Sequence, residues 1–175
     1  SRVAESRISN RLNDGKLELF WSVFIPVGAD VGLLRKTLES IMAQDLGAER
    51  MQIEVVKMGG DLDEVMNLAN KIGKGRIQCS SVQDGSCSVS LWNACVERAL
   101  GDWIHLIPSG DVVLPGFYRA YEQALFQEPH ALGVWGPSIC QGAQGQWCGM
   151  TRASVGKEDI PVESLAILSA QNPLQ

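Results

Sequence analysis

The sequence has no run of lysine and arginine, no apolar stretch of membrane-spanning length, no C-x-x-C pair and no G-x-G-x-x-G after its first apolar segment. Each absence excludes something. Without a basic cluster, and with a formal net charge of −5, nucleic acid is not an expected partner. Without roughly 20 consecutive apolar residues no transmembrane segment is expected. The start of the chain as it stands lacks the pattern of a signal peptide. The five cysteines are Cys79, Cys87, Cys95, Cys140 and Cys148. Their odd number and unpaired spacing argue against a disulfide framework and against a zinc site. A reducing, cytoplasmic setting is the expectation. The first apolar run, Leu19 to Val27, leads into Gly28-Ala29-Asp30. That ending excludes a dinucleotide-binding oxidoreductase, whose first strand opens onto a glycine fingerprint.

What is present is an ordinary globular composition, 45% hydrophobic and 20% charged over 175 residues. The length predicts a single domain, with residues 1–16 as a polar N-terminal arm. A chain of this size buries roughly 70% of its unfolded surface. Three apolar, β-branched segments predict strands at Leu19 to Val27, Met51 to Val56 and Arg76 to Val82. Between them, Val31, Leu34, Leu38 and Ile41 recur at helical spacing, as do Leu62, Val65, Leu68 (or Ala69) and Ile72. Asp30 is the expected cap of the first helix, and Asp61 with Glu64 a capping box for the second. Alternation of strand and helix predicts a parallel sheet with helical crossovers.

The most informative stretch runs from Asp84 to Phe117. A helix is expected from Ser88, with Val89, Trp92, Val96 and Ala99 on its buried face. Asn93 stands mid-helix, where asparagine is a poor helix former, so a buried hydrogen-bonding role is expected for it. Gly101 stands where a left-handed cap would end the helix. Trp103 to Ile107 then reads as a buried strand, broken by Pro108-Ser109-Gly110-Asp111. Ligands of open α/β sheets bind at the carboxyl ends of strands, which makes Asp111 the first candidate for chemistry. Beyond Pro115, a helix to Phe126 is expected with Phe117, Tyr121, Ala124 and Leu125 facing in. A strand over Ala131 to Ile139 and a hairpin or loop over Gly142 to Gly149 follow.

This stretch resembles the nucleotide-sugar-binding part of a family-2 glycosyltransferase of the GT-A fold. Gly85, Asn93, Ala99, Gly101, Trp103-Ile104, Ser109, Asp111 and Leu114-Pro115 follow that family's motif in order and spacing, and Ile25-Pro26-Val27 resembles its first-strand signature. The resemblance implies a Rossmann-like α/β/α sandwich with a mostly parallel central sheet. It implies transfer of a sugar, with inversion, from a nucleotide-diphosphate sugar, UDP-type foremost, to a hydroxyl of a saccharide, lipid or protein acceptor. It also implies a divalent metal, Mg²⁺ or Mn²⁺, at Asp111. The donor site it implies comprises Pro26, Val27, Gly28, Lys57, Asp84, Gly85, Asn93, Ser109 and Asp111. The implied location is the cytoplasm, including the inner membrane surface. The resemblance covers residues 18–175 and only the front part of the family domain, so the acceptor region is expected to be lacking and no catalytic base is assigned.

The chain departs from the family in three places. Gly28-Ala29 replace a Tyr-Asn pair. Lys57-Met58 replace two acids that bind the base and ribose, and an ammonium offers donors only. Pro108 and Gly110 stand where further metal-binding acids are found. Asp84-Gly85 is either a ribose or diphosphate contact or a plain turn. These departures support an alternative: a degenerate glycosyltransferase-like domain, without activity, serving binding or assembly.

Overall fold

The computed structural model describes residues 19–82, 88–128, 130–136, 138–142, 146–150 and 154–156. The chain divides into two compact units, Ser1–Pro115 and Gly116–Gln175. In the first, β1 (Trp21–Val27), β2 (Met51–Met58), β3 (Gln78–Val82) and β4 (Trp103–Leu106) alternate with α1 (Leu34–Met42), α2 (Asp63–Gly73) and α3 (Ser88–Arg98). The strand order is β3-β2-β1-β4, and every pairing is parallel. The expected Rossmann-like α/β sheet, flanked by helices, is therefore present.

β1 is apolar except at Ser22 because it is central and covered on both faces. Phe24 and Val56 point to one face, where they meet Leu91 and Cys95 of α3. Val23, Ile25, Ile53 and Val55 alternate to the other face and are equally buried. α1 and α2 pack against each other and bury Leu34, Leu38, Ile41, Val65 and Ala69.

The inward face of α3 is Leu91 and Cys95, not the expected Val89, Trp92 and Val96, which are exposed. The helix carries apolar residues on two sides, and only contact with Phe24 and Val56 decides which side is inside. Gly101 also has a different reason from the expected cap, for its φ is not positive. A Cβ there would lie 2.7 Å from the carbonyl carbon of Trp21 and 2.9 Å from the nitrogen of Ser22. The glycine permits close approach of the turn before β4 to the start of β1. Asp30 and Asp61 act ahead of their helices rather than as caps, three residues before the cap residue Leu33 and one before the cap residue Leu62. Their carboxylates accept from the N–H groups of Gly32 and Asp63 at 2.7 and 2.9 Å.

A buried polar seam crosses three strands beneath the end of α3. The Ser22 hydroxyl donates to Gln52 Oε1 at 2.7 Å and accepts from the N–H groups of Leu100 and Gly101 at 3.0 and 2.8 Å. Glu54 accepts from Ser80 at 2.5 Å and lies 3.6 Å from the Arg98 guanidinium.

In the second unit, α4 (Phe117–Gln127) buries Tyr118, Glu122 and Leu125. Phe117 and Tyr121, expected inside, are half-buried and stack on each other at 4.3 Å. The expected strand over 131–139 is split into β5 (Gly133–Trp135), antiparallel to β8 (Ser154–Gly156), and β6 (Ile139–Gln141), which forms a hairpin with β7 (Trp147–Met150). Residues 1–16 lie outside the described residues. Among the described residues no helix is long and apolar enough to cross a membrane.

Candidate functional site

The strand order creates the candidate site. From β1 the chain passes to β2 and β3 on one side of the sheet, then returns to β4 on the other. The direction of the chain thus reverses between β1 and β4, and in open α/β sheets ligands bind outside the carboxyl ends of strands at such a switch point. Pro26, Val27 and Gly28 lie at the end of β1. Ser109 and Asp111 follow β4. Lys57 is next to last in β2 and pairs in register with Val27.

Backbone hydrogen bonds join the two strand ends. The N–H of Ile107 donates to the carbonyl of Phe24 at 3.0 Å, and that of Ser109 to the carbonyl of Pro26 at 3.1 Å. The Val27 side chain is wholly buried, so only its backbone is available to a ligand. Gly28 is exposed, and a Cβ there would meet nothing within 4 Å. Gly110 has φ +104°, a left-handed conformation that suits glycine. A Cβ there would also lie 3.2 Å from Leu33 Cδ1. An acid at this position, as in the resembled family, would be strained.

Asp111 is exposed, yet desolvation of its carboxyl in the turn raises its pKa above the ordinary 3.8. The Ser109 hydroxyl is buried with no hydrogen-bond partner among the described residues. A buried, unsatisfied hydroxyl costs about 1–3 kcal/mol. His105, on β4, is pushed down to about 4 by burial, which leaves it neutral and a weak base at physiological pH.

Not every expected residue joins this group. Lys57 is placed beside the end of β1, but its ammonium donates to the carbonyl of Asp61 in its own loop. Asn93 is exposed, not buried. It stands two residues from both Leu91 and Cys95, about 200° around the helix from each, so it points away from the sheet. Asp84 and Gly85 lie outside the described residues.

The sequence reading missed two residues of α1, Thr37 and Ser40, and Gln44 in the turn just after it. Thr37 Oγ1 accepts from the N–H of Gly110 at 2.9 Å. Ser40 Oγ accepts from the N–H of Val113 at 3.2 Å, and Gln44 Nε2 donates to the carbonyl of Val113 at 3.4 Å. The signal was there: a polar row at helical spacing beside the apolar row of Leu34, Leu38 and Ile41.

Among the described residues no group of three or more His, Cys, Asp or Glu could hold a metal. The residues do not fit a cation held by protein alone. They fit a hard cation that brings its own diphosphate and water oxygens and needs one carboxylate, Asp111. A separate groove of about 320 Å³ lies between α1 and α2, lined by Val31, Arg35, Glu64 and Lys71 among others. It contains none of the candidate residues.

No family model and no curated protein matches the sequence. Solved structures do match. TarS from S. aureus superposes with a TM-score of 0.55 at 18% identity, covering 66% of this chain and 21% of that one. TarS 1-349 in complex with UDP gives 0.55 at 15% identity, covering 63% and 33%. The mannosyltransferase PcManGT from Pyrobaculum calidifontis, in complex with GDP-Man and Mn2+, gives 0.52 at 13% identity, covering 81% and 43%. The chain thus spans a third or less of these TarS chains. At these identities the likeness is one of fold, and the fold is that of glycosyltransferases.

Proposed function

We propose that this chain forms the donor-binding part of a glycosyltransferase of the GT-A type, similar to family 2. It would bind a nucleotide-diphosphate sugar across the carboxyl ends of β1 and β4. The observation that carries this reading is the junction of Pro26 and Ser109 at the switch point of the sheet. It joins the first-strand segment to the Asp111 turn in one crevice. Structures of the same fold hold UDP, UDP-GlcNAc or GDP-Man, which supports a nucleotide-sugar ligand, with UDP first.

In this reading the exposed backbone at Gly28 lies along the nucleotide, and Ser109 and Asp111 face the diphosphate. A divalent cation at Asp111, Mg²⁺ or Mn²⁺, would neutralise charge on the leaving diphosphate. The acceptor hydroxyl oxygen bonds to the anomeric carbon as the carbon–oxygen bond to the diphosphate breaks, with inversion. The hydroxyl proton passes to a carboxylate base, for which no residue of this chain is assigned. The acceptor is a saccharide, a lipid or a protein. Titration of UDP with and without Mn²⁺ tests the reading. Binding that needs Mn²⁺ and is lost in Asp111→Asn supports it, and unchanged affinity in that variant removes Asp111 from the site.

A second reading is favoured by two observations. The Lys57 ammonium is held by its own loop, and Gly110 occupies a backbone conformation unsuited to an acid. A domain that binds a nucleotide sugar, or a partner, without transferring the sugar would tolerate both. Nucleotide binding without hydrolysis or transfer of UDP-GlcNAc is its signature.

A further inference from the structure

Thr37 and Ser40 of α1, and Gln44 in the turn that follows it, are spaced at i, i+3 and i+7, so they form one row along the helix and its C-terminal turn. Their side chains meet a single partner, the segment 110–113 after β4. Thr37 takes the N–H of Gly110 at 2.9 Å. Ser40 and Gln44 take the N–H and the carbonyl of Val113 at 3.2 and 3.4 Å. Ser40 also donates to the Thr37 carbonyl at 2.8 Å, which fixes its own rotamer. Asp111 lies between the two clamped residues, and its N–H closes the turn onto the Pro108 carbonyl at 3.1 Å.

From this geometry we infer that Thr37, Ser40 and Gln44 are positioning residues that set where the Asp111 carboxylate stands relative to the end of β1. The inference rests on the nucleotide-binding reading above. Thr37 is wholly buried, and serine and threonine are weak helix formers that compete for backbone bonds. An apolar row would suit packing better. The polar row is placed opposite an irregular segment whose backbone groups need partners once buried. α1 also follows directly from the loop that leaves β1. The helix is thereby a rigid spacer between the part of the crevice assigned to the nucleoside and the part assigned to the diphosphate.

The test uses the whole chain, with UDP and Mn²⁺ as probes, in wild type, Thr37→Val, Thr37→Ser and Ser40→Ala. Amide hydrogen exchange in the free protein is the first readout. Gly110 should lose protection in Thr37→Val and regain it in Thr37→Ser, and Val113 should lose it in Ser40→Ala. Titration is the second. UDP affinity in the presence of Mn²⁺ should fall about tenfold or more in Thr37→Val, a loss of about 1.4 kcal/mol, and return in Thr37→Ser. Any Mn²⁺-independent UDP binding should be unchanged, a split that general loosening of the fold would not produce. Ser40→Ala carries the same test if Thr37→Val does not fold. Wild-type affinity for Mn²⁺ and UDP in a variant whose Gly110 or Val113 amide is unprotected overturns the inference. A wild type that binds no nucleotide overturns the reading beneath it, and the exchange pattern tells the two failures apart.

Discussion

The N–H of Ser109 donates to the carbonyl of Pro26 at 3.1 Å, where Pro26 is two residues beyond Phe24 and Ser109 three beyond Leu106, the last paired residues of β1 and β4. This bond carries the β4 strand past its regular ladder and brings the Asp111 turn to the end of β1. The candidate site depends on the two strand ends meeting there.

At the other end of the two strands, Gly101 lies against the backbone of Trp21 and Ser22. A Cβ at that position would fall 2.7 Å from the Trp21 carbonyl carbon, and backbone cannot rotate aside as a side chain can. Gly101→Ala should destabilise the fold by about 1–3 kcal/mol, as overpacking does. Denaturant unfolding measures it, and an unchanged midpoint would mean that the turn has room to move.

Ser22 is the hub of the seam under α3. Ser22→Ala removes the acceptor of the Gly101 N–H and one of two acceptors near the Leu100 N–H. The expected loss is about 1–3 kcal/mol, because a buried amide is left without its partner. A thermal scan reads it. Ser22→Thr, which keeps the hydroxyl, should lose less.

Asp111 gives a pH prediction. Desolvation holds its folded pKa above 3.8, so the native state binds this proton more readily than the unfolded chain does. Its ionisation therefore disfavours folding. The stability linked to this group falls as pH rises from 3.8 through the raised value. Asp111→Asn should be at least as stable as wild type at neutral pH, with the difference shrinking as pH falls through that window. Mn²⁺-dependent UDP binding needs the carboxylate. It should weaken, as pH is lowered, above the pH at which an ordinary aspartate would protonate.

The cysteines differ in accessibility. Cys95 is buried, and desolvation first, with Glu54 adding to it, pushes its thiol up to about 11. Cys140 and Cys148 are exposed. Peptide mapping after brief alkylation of the native protein should show both hairpin cysteines labelled and Cys95 untouched until unfolding. Early labelling of Cys95 would show that α3 opens away from Phe24 and Val56.

Much of the fold was legible in the sequence. The strand segments and their alternation with helices followed from apolar continuity and periodicity, because a central parallel strand must be apolar on both faces. The phase of α3 was not legible. Leu91 and Cys95 compete with Val89, Trp92 and Val96 for the same role, and only the sheet decides between them. Of the candidate residues, Asp111, Ser109 and Pro26 stood out in the sequence because they are turn residues at strand ends, and the structure places them at the ends of β1 and β4. Asn93 was misread because an unfavourable helix residue on an exposed face resembles, in sequence, one kept for burial. Thr37, Ser40 and Gln44 were missed because their partner is about 70 residues away in sequence. The polar row at helical spacing was visible, but nothing local in a helix says which distant segment it meets.

The most direct test of the account is calorimetric titration of UDP into the protein, with and without Mn²⁺, in wild type and Asp111→Asn. The account predicts binding that requires Mn²⁺ in wild type and is lost in the variant. No binding of UDP or of any other nucleoside diphosphate under either condition would contradict it.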